Sequence, residues 1–197
     1  MLTVRYLKIG YHKTIIENTF SNQFLLGDIV VVKGNNGVGK STFFKTLAGL
    51  LSPLSGSVKI FDDPTIGWVD SHRPQTAYLT IENYLSFGIN PTHEMLVEIL
   101  ESFKLNVKLD EFIDELSDGQ FRKLSICRQF LKSPKILFLD EPSVYLDVSS
   151  KALLIVRLKE LSNSCLIFCA THDLSFGDDI ATRFLFFDKR EIQSTVL

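Results

Sequence analysis

The chain has 197 residues, with 21 Lys+Arg against 23 Asp+Glu and a formal net charge of −2. At that length one domain is the default, and folding buries roughly 70% of the surface of the unfolded chain. Hydrophobic residues at 45% and charged residues at 22% exclude intrinsic disorder, a collagen-like repeat and a disulfide scaffold. The balanced charge gives no support to a polybasic binder of nucleic acid or of a membrane surface. The 16 phenylalanines point to a large core and leave material for an apolar docking surface. Met1 to Tyr11 alternates apolar residues with Arg5 and Lys8, which is strand patterning and not a signal peptide. No stretch approaches the roughly 20 apolar residues that cross a bilayer, so any work at a membrane needs a second polypeptide.

In chain order, strands are expected at Leu2–Ile9, Asp28–Lys33, Ser57–Phe61, Ile66–Asp70, Lys135–Asp140, Ser164–Thr171 and Thr182–Asp188. Helical patterns fall between them at Lys40–Leu51, Thr92–Lys104, Asp118–Lys132 and Ser149–Leu161. Ile29–Val32, Ile136–Leu139 and Leu166–Cys169 are apolar on both faces, as central parallel strands covered on both sides must be. The layout is α/β with a mostly parallel sheet, an N-terminal antiparallel region (Leu2 to about Glu17 with Ser57–Phe61) and a helical insert over about 72–133. Cys165 and Cys169 read as buried core residues of one strand; a redox or metal pair is the alternative.

Gly34-Asn35-Asn36-Gly37-Val38-Gly39-Lys40-Ser41 matches the phosphate-loop pattern G-x-x-x-x-G-K-[ST], with Thr42 next at the helix start. A chance match in a chain of this length is roughly a one-percent event at ordinary glycine usage. An apolar strand precedes the loop and an amphipathic helix follows it. Backbone amides of the glycine-rich turn then surround a β-phosphate, with the helix start adding about half a positive charge. Lys40 neutralises the β- and γ-phosphates and the Ser41 hydroxyl ligates Mg²⁺ in that reading.

A second apolar strand ends in Asp140-Glu141. A carboxylate at the C-terminal end of a strand beside a phosphate loop is placed to hold Mg²⁺ through water, the role expected of Asp140. Glu141, one residue further out, is placed to polarise a water in line with the γ-phosphate. A third strand ends in Thr171-His172-Asp173, where His172 either hydrogen-bonds the γ-phosphate or attacking water, or caps the next helix.

Leu116-Ser117-Asp118-Gly119-Gln120, about twenty residues before the acidic strand, resembles the LSGGQ signature of ABC-type ATPases. With the phosphate loop, Asp140-Glu141-Pro142, Leu146-Asp147 and His172 in that order, nearly the whole chain resembles the nucleotide-binding domain of that family. The guanine-specific N-K-x-D pattern is absent. The resemblance implies a P-loop ATPase that uses ATP and Mg²⁺ and works as a homo- or heterodimer facing head to tail. Ser117, Gly119 and Gln120 of one domain would meet the nucleotide held by the other, and Asp147 would lie in the loop that crosses the interface. Tyr11 falls where the family places an aromatic that stacks on adenine; an exposed tyrosine at a strand end is the alternative.

Three positions depart from the family pattern. Asp118 stands for the first glycine of the signature, and Val144 stands where the interface loop often has serine. The glutamine that joins Mg²⁺ to the helical lobe is replaced: counting back from Leu79-Thr80-Ile81-Glu82-Asn83 puts His72 there as a metal ligand, with Gln75 as the alternative. The function implied is an ATP-hydrolysing motor, peripheral on the cytoplasmic face of the membrane and driving an integral membrane subunit. Pro74 to Phe87 is the docking surface or else internal packing of the lobe. The compact length looks like subunits of small exporters. A soluble ATPase acting on a cytosolic scaffold and a nucleotide sensor with little turnover are the rival readings.

Overall fold

The three runs that are apolar on both faces become neighbouring strands in the middle of one sheet. The computed structural model describes residues 1–70, 78–188 and 191–196. The strands are β1 (Leu2–Lys8), β2 (Phe20–Phe24), β3 (Ile29–Gly34), β4 (Ser55–Ile60), β5 (Ile66–Val69), β6 (Ile136–Asp140), β7 (Leu166–Ala170), β8 (Arg183–Phe187) and β9 (Ile192–Val196). The helices are α1 (Lys40–Leu47), α2 (Ile81–Ser86), α3 (His93–Ser102), α4 (Asp118–Lys132), α5 (Val148–Ser162) and α6 (Leu174–Ile180). The main sheet has the order β5-β6-β7-β3-β8-β9, parallel except for β9. A second sheet, β2-β1-β4, is antiparallel throughout. This is the α/β fold of a P-loop NTPase, with N-terminal strands and a helical insert.

Side chains alternate across a strand, so each central strand feeds two cores. Val30, Val32, Phe138, Leu166 and Phe168 face α1 and the antiparallel sheet. Val31, Leu137, Leu139, Ile167 and Cys169 face α4, α5 and α6. The phenylalanines concentrate on the first side, where the Phe138 and Phe168 rings stack with centroids 5.2 Å apart and Phe24 and Phe44 close on them. All three cysteines are buried free thiols, which is the core-packing reading of Cys165 and Cys169.

Several elements differ from the expectation. β1 pairs with β2, not with residues up to Glu17; Phe20-Ser-Asn-Gln-Phe24 has three polar residues, and its strand identity comes from the ladder to β1. α1 stops at Leu47 and not Leu51, because Gly49 turns the chain at φ +76° and leaves Leu50 exposed. α2, α6 and β9 are additional. Each is seven residues or fewer, too short for its period to register. The described part of 72–133 carries α2, α3, a 3₁₀ turn at Ile113–Glu115 and α4, with no strand. Its N-caps are the side chains of Thr80, Thr92 and Ser117, each accepting from an amide in the first turn.

Candidate functional site

Strand order sets the site. β7 lies between β3 and β6, and Val32, Ala170 and Asp140 stand level across the three strands. The phosphate loop after β3, His172 after β7 and Glu141 after β6 therefore converge at one edge of the sheet, the place where parallel sheets bind ligands. The loop, Asp140 and Glu141 line a cleft of about 350 Å³ together with Ile15 and Thr42, and His172 stands beside it against Lys40 and Glu141.

Gly39 precedes α1 at φ +108°, a left-handed conformation, and a Cβ there would lie 2.6 Å from Ile15 Cγ2. Glycine is required on both counts. No side chain caps α1, so its first amides remain donors facing the cleft. Lys40 is 7% exposed; its Nζ donates to the Gly34 carbonyl at 2.7 Å and the Asn35 carbonyl at 3.1 Å. Burial lowers the Lys40 pKa, and the Glu141 and Asp140 carboxylates oppose that shift. Val38 is buried beneath the loop and its amide donates to the Asn35 carbonyl.

The Ser41 hydroxyl donates to Asp140 Oδ2 at 2.7 Å, bringing the two expected cation-holding groups together. Glu141 sits at φ +51°, its amide donating to the Ala170 carbonyl of β7. Glu141 Oε2 accepts from the His172 amide at 3.2 Å, and Oε1 lies 3.4 Å from His172 Nε2. The same nitrogen is 3.2 Å from Lys40 Nζ. His172 thus sits between the lysine and the glutamate. It is Asp173, not His172, that caps α6, with Oδ1 accepting from the Phe176 amide. The geometry suits a polyphosphate: a buried lysine on main-chain carbonyls, uncapped helix amides, and a hydroxyl–carboxylate pair at the helix start. Among the described residues no three His, Cys, Asp or Glu side chains cluster as a complete metal cage. Ser41 and Asp140 fit a cation that takes its other ligands from phosphate and water.

Other expected residues do not line this cleft, and Ser117, Gln120 and Asp147 have local partners. Tyr11 is 59% exposed, in the loop after β1. The Ser117 hydroxyl accepts from the Gln120 amide at 3.3 Å, while Gln120 Oε1 accepts from the Ser117 amide at 2.9 Å, a reciprocal capping box on α4. Asp147 caps α5; bonds from the side chain and amide of Ser150 and from the Ser149 hydroxyl hold its carboxyl down at about 2. Gly119 abuts the turn after Glu141, where a Cβ would lie 2.6 Å from the Tyr145 carbonyl oxygen. Asp118 is exposed in the first turn of α4, and Val144 is 39% exposed. His72 and Gln75 lie outside the described residues. Sequence reasoning missed Ile15, whose contact with Gly39 is made only through space, and the buried Ser143–Thr171 hydroxyl pair at 3.4 Å behind Glu141.

A family model described as ABC transporter matches residues 18–144. The chain is 29% identical over 204 residues to an ergothioneine transport ATP-binding protein, EgtV, of Helicobacter pylori, covering 94% of this chain and 96% of that one. It is 28% identical over 185 residues to a thiamine import ATP-binding protein, ThiQ, of Vibrio cholerae, covering 85% and 78%. A solved ATP-binding subunit of an ABC transporter superposes with a TM-score of 0.89 at 24% identity, covering 100% of this chain and 90% of that one. A dimeric bacterial ABC transporter cassette superposes with a TM-score of 0.84 at 22% identity, covering 100% and 99%. The chain belongs to the ABC transporter family, as an ATP-binding subunit.

Proposed function

We propose that this ATP-binding and ATP-hydrolysing subunit is the motor of a transporter, closing head to tail with a second ATPase domain around ATP and driving a separate membrane subunit. The observation that carries the reading is the convergence of Lys40, the Ser41–Asp140 pair and the Glu141–His172 pair on one cleft. Lys40 exchanges its carbonyl partners for β- and γ-phosphate oxygens, and the amides at the start of α1 bind the β-phosphate. Ser41 and Asp140 are the residues that would hold Mg²⁺, which when bound would neutralise phosphate charge.

Glu141 accepts a proton from the attacking water, and His172 holds the Glu141 carboxylate through its main-chain amide and faces the γ-phosphate with Nε2. Tyr11 lies exposed for stacking on adenine, and Ile15 supplies an apolar wall of the same cleft. Ser117, Gly119, Gln120 and Asp147 face the second domain, the serine and glutamine by rearranging their capping box. On the helical lobe Tyr78 is 86% exposed and Phe87 72% exposed, while Tyr84 packs inward beneath Arg128. The exposed pair supports a docking face for the membrane subunit; Pro74 to Ala77 lie outside the described residues. No helix among the described residues is long and apolar enough to cross a membrane.

The test is an affinity purification of tagged Glu141→Gln with MgATP from detergent-solubilised source cells, followed by mass spectrometry. A stoichiometric multi-span membrane protein supports the motor reading, and its identity distinguishes export from the import for which some relatives are named. Recovery of a soluble scaffold, or of the subunit alone, would overturn it.

A further inference from the structure

α4 is tied to the edge strand β5 at two points, two helical turns apart. Gln129 Oε1 accepts from the Trp68 amide at 3.2 Å, and Arg122 Nη1 donates to the Asp70 carbonyl at 2.5 Å. Residues seven apart share a helix face and lie about 10 Å apart along its axis. Trp68 and Asp70, two apart in extended chain, span about 7 Å, so both bonds form with the helix lying along the strand. The two side chains are 3% and 5% exposed.

The Gln129 bond has an ordinary explanation, because the Trp68 amide lies in an edge strand and needs an acceptor. The Arg122 bond differs in kind, because its donor is a buried charged group. A carbonyl just past a strand end is satisfied by any neutral donor, whereas burying a guanidinium carries a desolvation cost. Burial lowers the Arg122 pKa, and the nearby Asp70, Tyr145, Asp140 and Tyr84 groups act against that shift. The cation therefore lies among the ends of β5 and β6, the turn after Glu141, and α2. One turn ahead of it along α4, Gly119 abuts the Tyr145 carbonyl of that same turn.

We infer that Arg122 is a positioning residue that locks the first two turns of α4 to the sheet. It fixes Ser117 and Gly119 in the orientation in which a second domain's nucleotide is met. The inference rests on the proposed head-to-tail dimer and adds to it a group that no nucleotide touches.

The test uses the whole chain carrying Glu141→Gln, with dimerisation followed by sedimentation velocity in MgATP and monomer affinity by titration of a fluorescent ATP analogue. Arg122→Met in that background should bind the analogue within about twofold of its parent yet dimerise on the order of tenfold more weakly, the equivalent of one charged hydrogen bond. Arg122→Lys, which keeps a donor and the charge, should recover part of the loss. Gln129→Leu cuts the other tie, and should lower the melting temperature with dimerisation unchanged below it. If Arg122→Met does not fold, Arg122→Gln is read in its place. Undiminished dimerisation of the Arg122 variant, or an equal loss in Gln129→Leu, would overturn the positioning role. Failure of Glu141→Gln itself to dimerise would instead overturn the functional reading, and this inference with it.

Discussion

Replacing Lys40 by methionine keeps the side-chain length and removes the charge, which separates ligand binding from folding at one position. In the structure Nζ donates to two loop carbonyls and stands 3.2 Å from His172 Nε2, in a side chain that is 7% exposed. Lost hydrogen bonds from the ammonium, at about 1.5–3 kcal/mol each, are offset by relief of the cation's desolvation, itself several kcal/mol. The Gly34 and Asn35 carbonyls belong to residues that water reaches, so they are not left orphaned. The net change in folding stability should be within about 1 kcal/mol in either direction.

Binding should respond quite differently. Two charged hydrogen bonds to phosphate at about 1.5–3 kcal/mol each predict a loss of roughly 10²–10⁴ in ATP affinity. The pH dependence carries a sign as well. The Lys40 pKa is lowered by burial, so the unfolded chain holds more protons just below pH 10.5, and wild-type stability should rise relative to Lys40→Met as pH climbs towards that value. Calorimetric titration with ATP and urea unfolding of the same two proteins give both quantities. ATP affinity within about threefold of wild type, combined with a large loss of stability, would make Lys40 a structural residue and refute the argument.

Two further substitutions probe the turns around the site. Gly119→Ala places a Cβ 2.6 Å from the Tyr145 carbonyl oxygen, so the turn after Glu141 must move within the same chain. Overpacking of this kind costs about 1–3 kcal/mol, and phosphate release should fall even at saturating ATP; an unchanged melting temperature with full turnover would show that the turn has slack. For Asp147 the folded pKa of about 2 lies below the ordinary 3.8, so the stability it contributes is present above 3.8 and is lost as pH falls towards 2. Asp147→Asn should therefore lose less stability than wild type across that window in acid unfolding, and parallel curves would remove the capping role.

The chemistry was more legible in the sequence than the packing around it. Gly37, Gly39, Lys40 and Ser41 fall within five consecutive residues, and the apolar runs before Gly34 and Glu141 fix two strand ends, so the phosphate loop and acids could be read from local pattern. Ile15 was invisible because its contact with Gly39 spans a loop of no fixed period. The same holds for Gly119 against Tyr145 and for Arg122 on the Asp70 carbonyl, which only the strand order and the lie of α4 bring together. β2 was unreadable for a different reason. Its middle residues, Ser21, Asn22 and Gln23, have no strand preference of their own and are held by pairing with Val4, Thr3 and neighbouring residues of β1. His172 shows a different case: of its two readings open in the sequence, the helix cap is the one the structure gives to Asp173 instead.

The motor reading stands or falls on hydrolysis of MgATP in this cleft with Glu141 as the base. Steady-state phosphate release by wild type and Glu141→Gln, each at saturating MgATP, tests it most directly. Wild type should release phosphate measurably and the variant at a rate lower by about 10²–10⁴, with ATP affinity retained. Equal rates in the two proteins would contradict it.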